Sequence, residues 1–441
     1  MIIFPQLIFG LLLATATYFI LKSINRIKFN IALGKPFELK TTLFQRCRNM
    51  TLTALGQKKM FKKPIPAVLH LFVYLGFLIV NIEMLEIVLD GLLGTHRLFA
   101  SPLGSLYPFI VNVFEFFALA VILTCFIFLI RRNILHVKRF TATEMKKGPV
   151  LDANIILVAE ILLMFAFLFM NASDKVLQGQ SEHYIVTGDF WFSGHLIPLL
   201  TGMSVGTLHM FERFCWWFHI IGVLCFANYV FYNSKHLHIF FAFLNTFYAR
   251  LNPAGELDNM KEVTKEVQLM LGLAPADAAP ASDASTAPFR FGAKDAQDLT
   301  WKNLMDAYSC TECGRCTEQC PANITGKSLS PRKIMMDTRD RIEEVGSNIR
   351  KHGIDFQDGK SLLGDYITEE EILACTTCNA CVEACPVNIN PVEIIVQLRR
   401  YKVMEESKAP ASWNSMFSNI ENNAAPWKFS PSDRFNWSDK L

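Results

Sequence analysis

Charge is scarce in this sequence. Lys, Arg, Asp and Glu make up 19% of its 441 residues, against 51% hydrophobic. So few charges cannot clothe an ordinary soluble protein of this length, and the balance points to membrane spans. A formal net charge of +3 marks no strongly basic surface, and no nucleic-acid partner is expected. Nucleotide fingerprints are missing too. No G-x-G-x-x-G turn opens a helix and no phosphate-cradling P-loop occurs, so nothing marks a flavin or nicotinamide site. No basic residue precedes the first apolar stretch, while Lys22 and Arg26 follow it, so that stretch reads as a retained anchor.

Five segments are long and apolar enough to cross about 30 Å of hydrocarbon. They run over 3–22, 67–90, 108–131, 152–171 and 213–232. Backbone groups in lipid must bond within their own segment, so each is expected to be a helix. Lys and Arg crowd the connection 23–66 and the one after the third span, whereas 91–107 and 172–212 carry almost none. By the positive-inside rule the amino terminus lies outside and the carboxyl half in the cytoplasm. A further apolar run, 195–211, is short and holds Pro198, Gly202 and Gly206; it is expected to be a surface or re-entrant segment. The Ala/Pro/Ser-rich stretch near 275–290 reads as a tether. These boundaries divide the chain into a transmembrane domain (1–250), a flexible linker (251–295), a small soluble domain (296–404) and a tail (405–441) suited to docking a partner. The fold class is all-α: a five-helix transmembrane bundle followed by a small helical domain.

Eight of the twelve cysteines sit in two near copies, "CTECGRCTEQCP" from Cys310 and "CTTCNACVEACP" from Cys375. Each has the form C-x2-C-x2-C-x3-C-P. Zinc sites use C-x2-C pairs but rarely this run, twice, each closed by Pro. In two-cluster ferredoxins the last cysteine of each box ligates the other cluster. One [4Fe–4S] cluster is then expected on Cys310, Cys313, Cys316 and Cys385, and a second on Cys375, Cys378, Cys381 and Cys320. The other cysteines, Cys47, Cys125, Cys215 and Cys225, show no ligand spacing. The long separation of the boxes and the sequence "CPVNINPVEII" resemble the helical dicluster ferredoxins of heterodisulfide reductases and succinate dehydrogenase-like iron–sulfur subunits.

Imidazoles on facing helices can take both axial positions of a haem iron. His70 lies near the inner end of the second span, His219 near the outer end of the fifth, and His236 and His238 at its inner end. From His219 to His238, a continuous helix would rise roughly 28 Å, nearly a membrane width. His70 could therefore face His236 or His238 at an inner haem. The helical half, with "NSKHLHIF" after the fifth span, resembles the cytochrome b subunit of respiratory nitrate reductase and the membrane subunits of heterodisulfide reductase. That resemblance implies haem b, one or two, with His238 the better inner ligand and His236 the alternative. Val80 and Asn81 stand where the nitrate reductase pattern has a second histidine, so an outer haem would need His96, His195 or His209 beside His219.

Glu83, Glu86 and Asp90 share one face of the second span, and Glu115 begins the third. They could accept the protons of a quinol, or simply tie helices together. The resulting expectation is a multi-pass inner-membrane subunit of a quinone-linked iron–sulfur oxidoreductase. Electrons would pass between quinol, haem b, two [4Fe–4S] clusters and a soluble partner of the heterodisulfide-reductase type. That partner is expected as a separate subunit with a Cys-Cys-Gly iron–sulfur domain, or a flavoprotein. Two alternatives stand beside it: the same carrier running from an electron-transfer flavoprotein to quinone, and a haem-free, membrane-tethered redox sensor or assembly factor.

Overall fold

A computed structural model describes residues 3–146, 148–181, 184–233, 235–253, 255–273 and 290–440. Among them there is no strand, only isolated bridges. The first half comprises α1 (Ile3–Ala32), α2 (Leu43–Met50), α3 (Pro64–Leu93), α4 (Ala100–Leu103), α5 (Tyr107–Asn133), α6 (Gly148–Leu177), α7 (Val205–Asn233) and α8 (His238–Phe247). A linking helix, α9 (Lys261–Met270), precedes the second half. There follow α10 (Trp301–Ser309), α11 (Arg315–Glu318), α12 (Pro321–Ile324), α13 (Pro331–His352), α14 (Glu369–Ala374), α15 (Ala380–Ala384), α16 (Pro391–Arg400) and α17 (Ala411–Asn423).

Five helices are long and apolar enough to cross a membrane. They pack around a core that includes Phe9, Val80, Ile87, Phe114, Val121, Phe167, Trp216 and Ile220. Large apolar side chains such as Leu85, Leu123, Phe126, Leu162 and Phe214 stay exposed on the outside, as lipid contact requires. Small residues let the helices close in. A methyl on Gly91 would lie 2.8 Å from the Phe9 ring, and one on Gly222 would lie 2.6 Å from Leu163. Each helix is longer than its expected span. The extra turns are polar and work at the ends: Asn30 of α1 donates to the Tyr308 hydroxyl at 2.8 Å.

The run 195–211 does not form one segment. A 3-10 stretch, Ser193–Leu199, ends at a turn, and α7 then starts at Val205. Gly202–Gly206 has the letters of a hydrolase nucleophile turn, G-x-S-x-G. Here, however, the Ser204 hydroxyl accepts from the Thr207 N–H (3.2 Å) at a helix start, with no strand before it. The stretch 274–289, most of the expected tether, lies outside the described residues.

The helical second half sits against the face that bears the basic connections. It begins earlier than 296: Ala293 N–H donates to the Gln397 carbonyl (3.0 Å), and Asp295 takes the Arg341 guanidinium. Capping boxes start α10 (Thr300 with Asn303) and α14 (Thr368 with Glu371), which lead into the two cysteine boxes. Asn30, Lys35, Arg139, Glu144 and Asn245 of the first half all bond into this domain.

Candidate electron-transfer sites

The cysteine boxes are loops between capped helices. In the first, Glu312 and Gly314 lie at φ 54° and 73°; in the second, Thr377 and Asn379 lie at 53° and 60°. These left-handed residues curl each loop so that its thiols turn to one side. A small cavity is lined by Cys310, Cys313, Cys316 and Cys385, drawn from both boxes. Cys385 of the second box thus joins three thiols of the first at this cavity, and Cys320 of the first box lies near Cys375 and Cys381 of the second. Burial pushes the Cys310 and Cys381 thiols up to about 12, which an iron cluster bound as thiolate complex would reverse. Backbone N–H groups of Thr377 and Ile389 donate to Cys375 Sγ (3.4 Å) and Cys385 Sγ (3.3 Å), as around ligated sulfur.

Beside the first box lies a level of histidines. His70 of α3 and His238, at the start of α8, have ring centroids 6.5 Å apart. His236 sits 5.6 Å from His238. His70 Nδ1 is 3.2 Å from Gln57 Oε1, and His238 Nδ1 is 3.1 Å from the Lys235 carbonyl. A proton on each Nδ1 would satisfy these oxygens and leave Nε2 as the lone-pair nitrogen on each ring. Burial pushes His236 and His238 down, toward the neutral imidazole that binds metals. α7 stops at Asn233 and the chain turns before α8, so the 28 Å rise expected between His219 and His238 does not occur.

His219 stands in the middle of α7, not near its outer end, because α7 begins at Val205 rather than 213. It is buried, with Nδ1 2.9 Å from the Leu163 carbonyl. The structure does not bring His96 or His209 to it; both gather on Tyr184, His209 Nδ1 lying 2.7 Å from its hydroxyl. His195 belongs to the 3-10 stretch before α7.

At the far end of the bundle a cavity of ≈ 360 Å³ opens between α1, α3, α6 and α7. Phe9, Trp216 and Trp217 wall it, and Glu83, Glu86, Asp90, His96, Asp174 and Glu212 line it. Sequence reasoning missed its organiser. Arg97, buried and at φ 54°, donates to Asp174 Oδ2 (2.8 Å), Asn171 Oδ1 (2.7 Å) and the Tyr107 hydroxyl (3.3 Å). Its charge also lies 3.8 Å from Glu83. Glu86 accepts from the Phe99 N–H (2.7 Å) and from Tyr107 (2.8 Å), so it is held on both oxygens. Glu83 differs: its Oε2 is buried with no hydrogen-bond partner. Glu115 does not line the cavity; it ties Asn171 to the backbone of Phe192 and Ser193. A lone Arg in a sparsely charged connection was the available signal for this network, yet it reads as a rim charge.

Comparison with known proteins follows the same division. Residues 309–389 match the family described as 4Fe-4S dicluster domain. Over 98% of its length the chain is 28% identical to a Bacillus subtilis (strain 168) protein named probable iron-sulfur-binding oxidoreductase FadF, covering 61% of it. It is 26% identical, over 90% of its length, to the EtfAB:quinone oxidoreductase of Syntrophomonas wolfei subsp. wolfei, covering 54% of that protein. A third relative is a subunit of the Methanosarcina mazei dihydromethanophenazine:CoB–CoM heterodisulfide reductase, 30% identical over 32% of this chain and covering 35% of that subunit. The chain thus spans little more than half the length of the first two relatives. No solved structure matches it. The first two relatives are thus named as oxidoreductases, and what this chain itself shows is a match to the 4Fe-4S dicluster domain together with, among the described residues, five helices long and apolar enough to cross a membrane.

Proposed function

We propose that the chain carries electrons through the membrane-spanning bundle, between a quinone in the Arg97 cavity and a soluble partner at the opposite face. A single observation carries this reading: His70 and His238 face each other 6.5 Å apart with both Nδ1 atoms hydrogen-bonded to oxygen. A haem b on these two rings would supply a one-electron carrier at that level, and the Gln57 and Lys235 oxygens would fix the ring orientations. One haem fits better than two, because His96 and His209, two of the candidate partners of His219, gather on Tyr184 instead.

The remaining work falls to side chains of the chain itself. Quinone reduction takes up two protons with two electrons, and quinol oxidation releases them. Glu83, with one oxygen unpartnered at the cavity wall, is placed to hold such a proton, and Arg97 keeps the neighbouring carboxylates in register. The Phe9, Trp216 and Trp217 walls suit a flat apolar ring. The eight box cysteines would hold two [4Fe–4S] clusters at the basic face, which by the Lys/Arg asymmetry is the cytoplasmic one.

An electron-transfer flavoprotein as donor and quinone as acceptor is the favoured direction. Support comes from the EtfAB:quinone relative, whose similarity runs through both the bundle and the cluster domain. A heterodisulfide-reductase-type partner is the second reading, supported by the Methanosarcina mazei reductase relative, which is similar over 32% of this chain. In either case α17, which buries no residue and shows Phe417 and Ile420 to solvent, is suited to docking that partner. The test is a spectrum. Purified protein reduced by an electron-transfer flavoprotein should display b-type haem bands that added quinone bleaches. Absence of any b-type band ends this reading; bands that only quinol generates favour the opposite flow.

A further inference from the structure

The two cysteine boxes are copies in backbone but not in surroundings. In the first, Glu312, Gly314 and Arg315 between the ligands are buried. In the second, the matching Thr377, Asn379 and Ala380 are half-buried, and Thr376 and Cys378 are exposed. The bundle causes the difference. Glu312 pairs with Lys235 at 3.3 Å, and Lys235 adjoins His236. Gly314 is pressed against the connection after α5: a methyl there would lie 3.3 Å from the Arg139 carbonyl and 2.5 Å from Arg332. Arg315 reaches the Met60 carbonyl at 3.4 Å. The second box is held only on its flank, where Lys62 pairs with Glu383 and Lys59 lies 3.5 Å from the Val382 carbonyl. Its ligand loop stays open.

We infer that the two sites are ordered, with the Cys310 quartet as the membrane-side site and the Cys378 quartet as the entry where the soluble redox protein docks. This rests on the electron-carrier reading above. Electron tunnelling weakens with each intervening atom layer, so an exposed ligand loop is where a partner's cofactor can come closest. The docking surface is uncharged at Thr376, Thr377 and Asn379, and the helix that leads into it exposes Glu370 in its first turn, where Glu369 pairs with Lys402. It fits a flavoprotein that presents its cofactor edge inside a basic rim. Each passage moves one electron: the flavoprotein is oxidised, the Cys378 site is reduced, and no bond is made or broken.

The order is read by EPR on detergent-solubilised holoprotein, with and without a soluble dysprosium chelate that speeds relaxation of exposed centres. A Cys378→Ser variant shows which reduced-cluster signal belongs to that quartet. The expected result is that this signal relaxes faster with dysprosium while the Cys310-quartet signal is little affected. Faster relaxation of the Cys310 signal, or equal effects on both, overturns the order. If Cys378→Ser does not assemble, Thr376→Arg keeps every thiol. It should slow reduction by the flavoprotein at least about tenfold relative to reduction by dithionite; an unchanged ratio overturns the docking site. A sample without haem bands can still show the relaxation contrast, so failure of the carrier reading and failure of the order are told apart.

Discussion

Lys235 and Glu312 form a buried ion pair, 3.3 Å apart, with side chains 6% and 4% exposed. One belongs to the turn that carries His236, the other to the loop between Cys310 and Cys313. Glu312 also takes Arg339 at 2.8 Å. Burial by itself would raise the Glu312 carboxyl; Arg339 and Lys235 more than offset it and hold it below the usual carboxylate range. The pair is therefore a direct ionic link between the histidine level and the first cysteine box.

Lys235→Met leaves Glu312 with one cation, and Glu312→Gln leaves Lys235 facing Asp152 at 3.6 Å. Each charge keeps a second partner, so each single variant should cost less than the about 3–5 kcal/mol of a fully stranded buried charge. Each single variant should lower the thermal midpoint and make the second half easier to release by protease. The double variant should recover part of the loss. Additive losses would show that the two residues are not coupled.

The crossed quartets can be counted. Cys316→Ser and Cys385→Ser should abolish the same EPR signal, and Cys381→Ser and Cys320→Ser the other. If instead Cys320→Ser and Cys316→Ser affect the same signal, each box holds its own cluster.

His70→Ala and His238→Ala should each remove the b-type bands, while His236→Ala keeps them. Gln57→Leu, which takes the acceptor from His70 Nδ1, should keep the bands and shift their midpoint potential, since that hydrogen bond sets ligand basicity. Loss of bands in His236→Ala alone would move the axial position to His236.

In the cavity, Glu83→Gln should cut quinone-linked haem oxidation by roughly 10²-fold, the usual worth of a proton-transfer group, with little change in stability. Arg97→Leu should behave differently. It strands Asp174 and costs about 3–5 kcal/mol, so reduced yield and an early thermal midpoint are expected. Full activity in Glu83→Gln would place the quinone chemistry elsewhere.

The second half is clamped by Arg341, which pairs with Asp295 and with Asp358, both at 2.6 Å. The Arg341 hydrogen bond holds Asp358 down at about 2. A depressed carboxylate contributes stability above its unfolded value, and that contribution fades as pH falls through the folded one. Asp358 is half-buried at the edge of the domain, and screening by solvent leaves roughly 1 kcal/mol. Asp358→Asn should therefore melt earlier than the parent by a constant margin from pH 8 to 5, closing only below about pH 4. A margin that changes between pH 8 and 6 would show another group at work.

Much of this protein was legible in its residues. Hydrocarbon forces the backbone of an apolar run to bond to itself, so the five long runs could be read as helices without knowing their neighbours. Thiols two and three residues apart can reach one cluster from one loop, so both boxes were legible too. The tertiary structure decided the rest, because it depends on which chain ends meet. The turn after Asn233 brings His238 to His70 and separates both from His219. The face on which the second half sits buries one box and leaves its copy open. A single arginine in a short connection becomes the hub of a buried carboxylate network only because α3, α5 and α6 converge on it. Spacing along a chain sets what one segment can do by itself; charge pairing and burial between segments are set by packing, which no single stretch encodes.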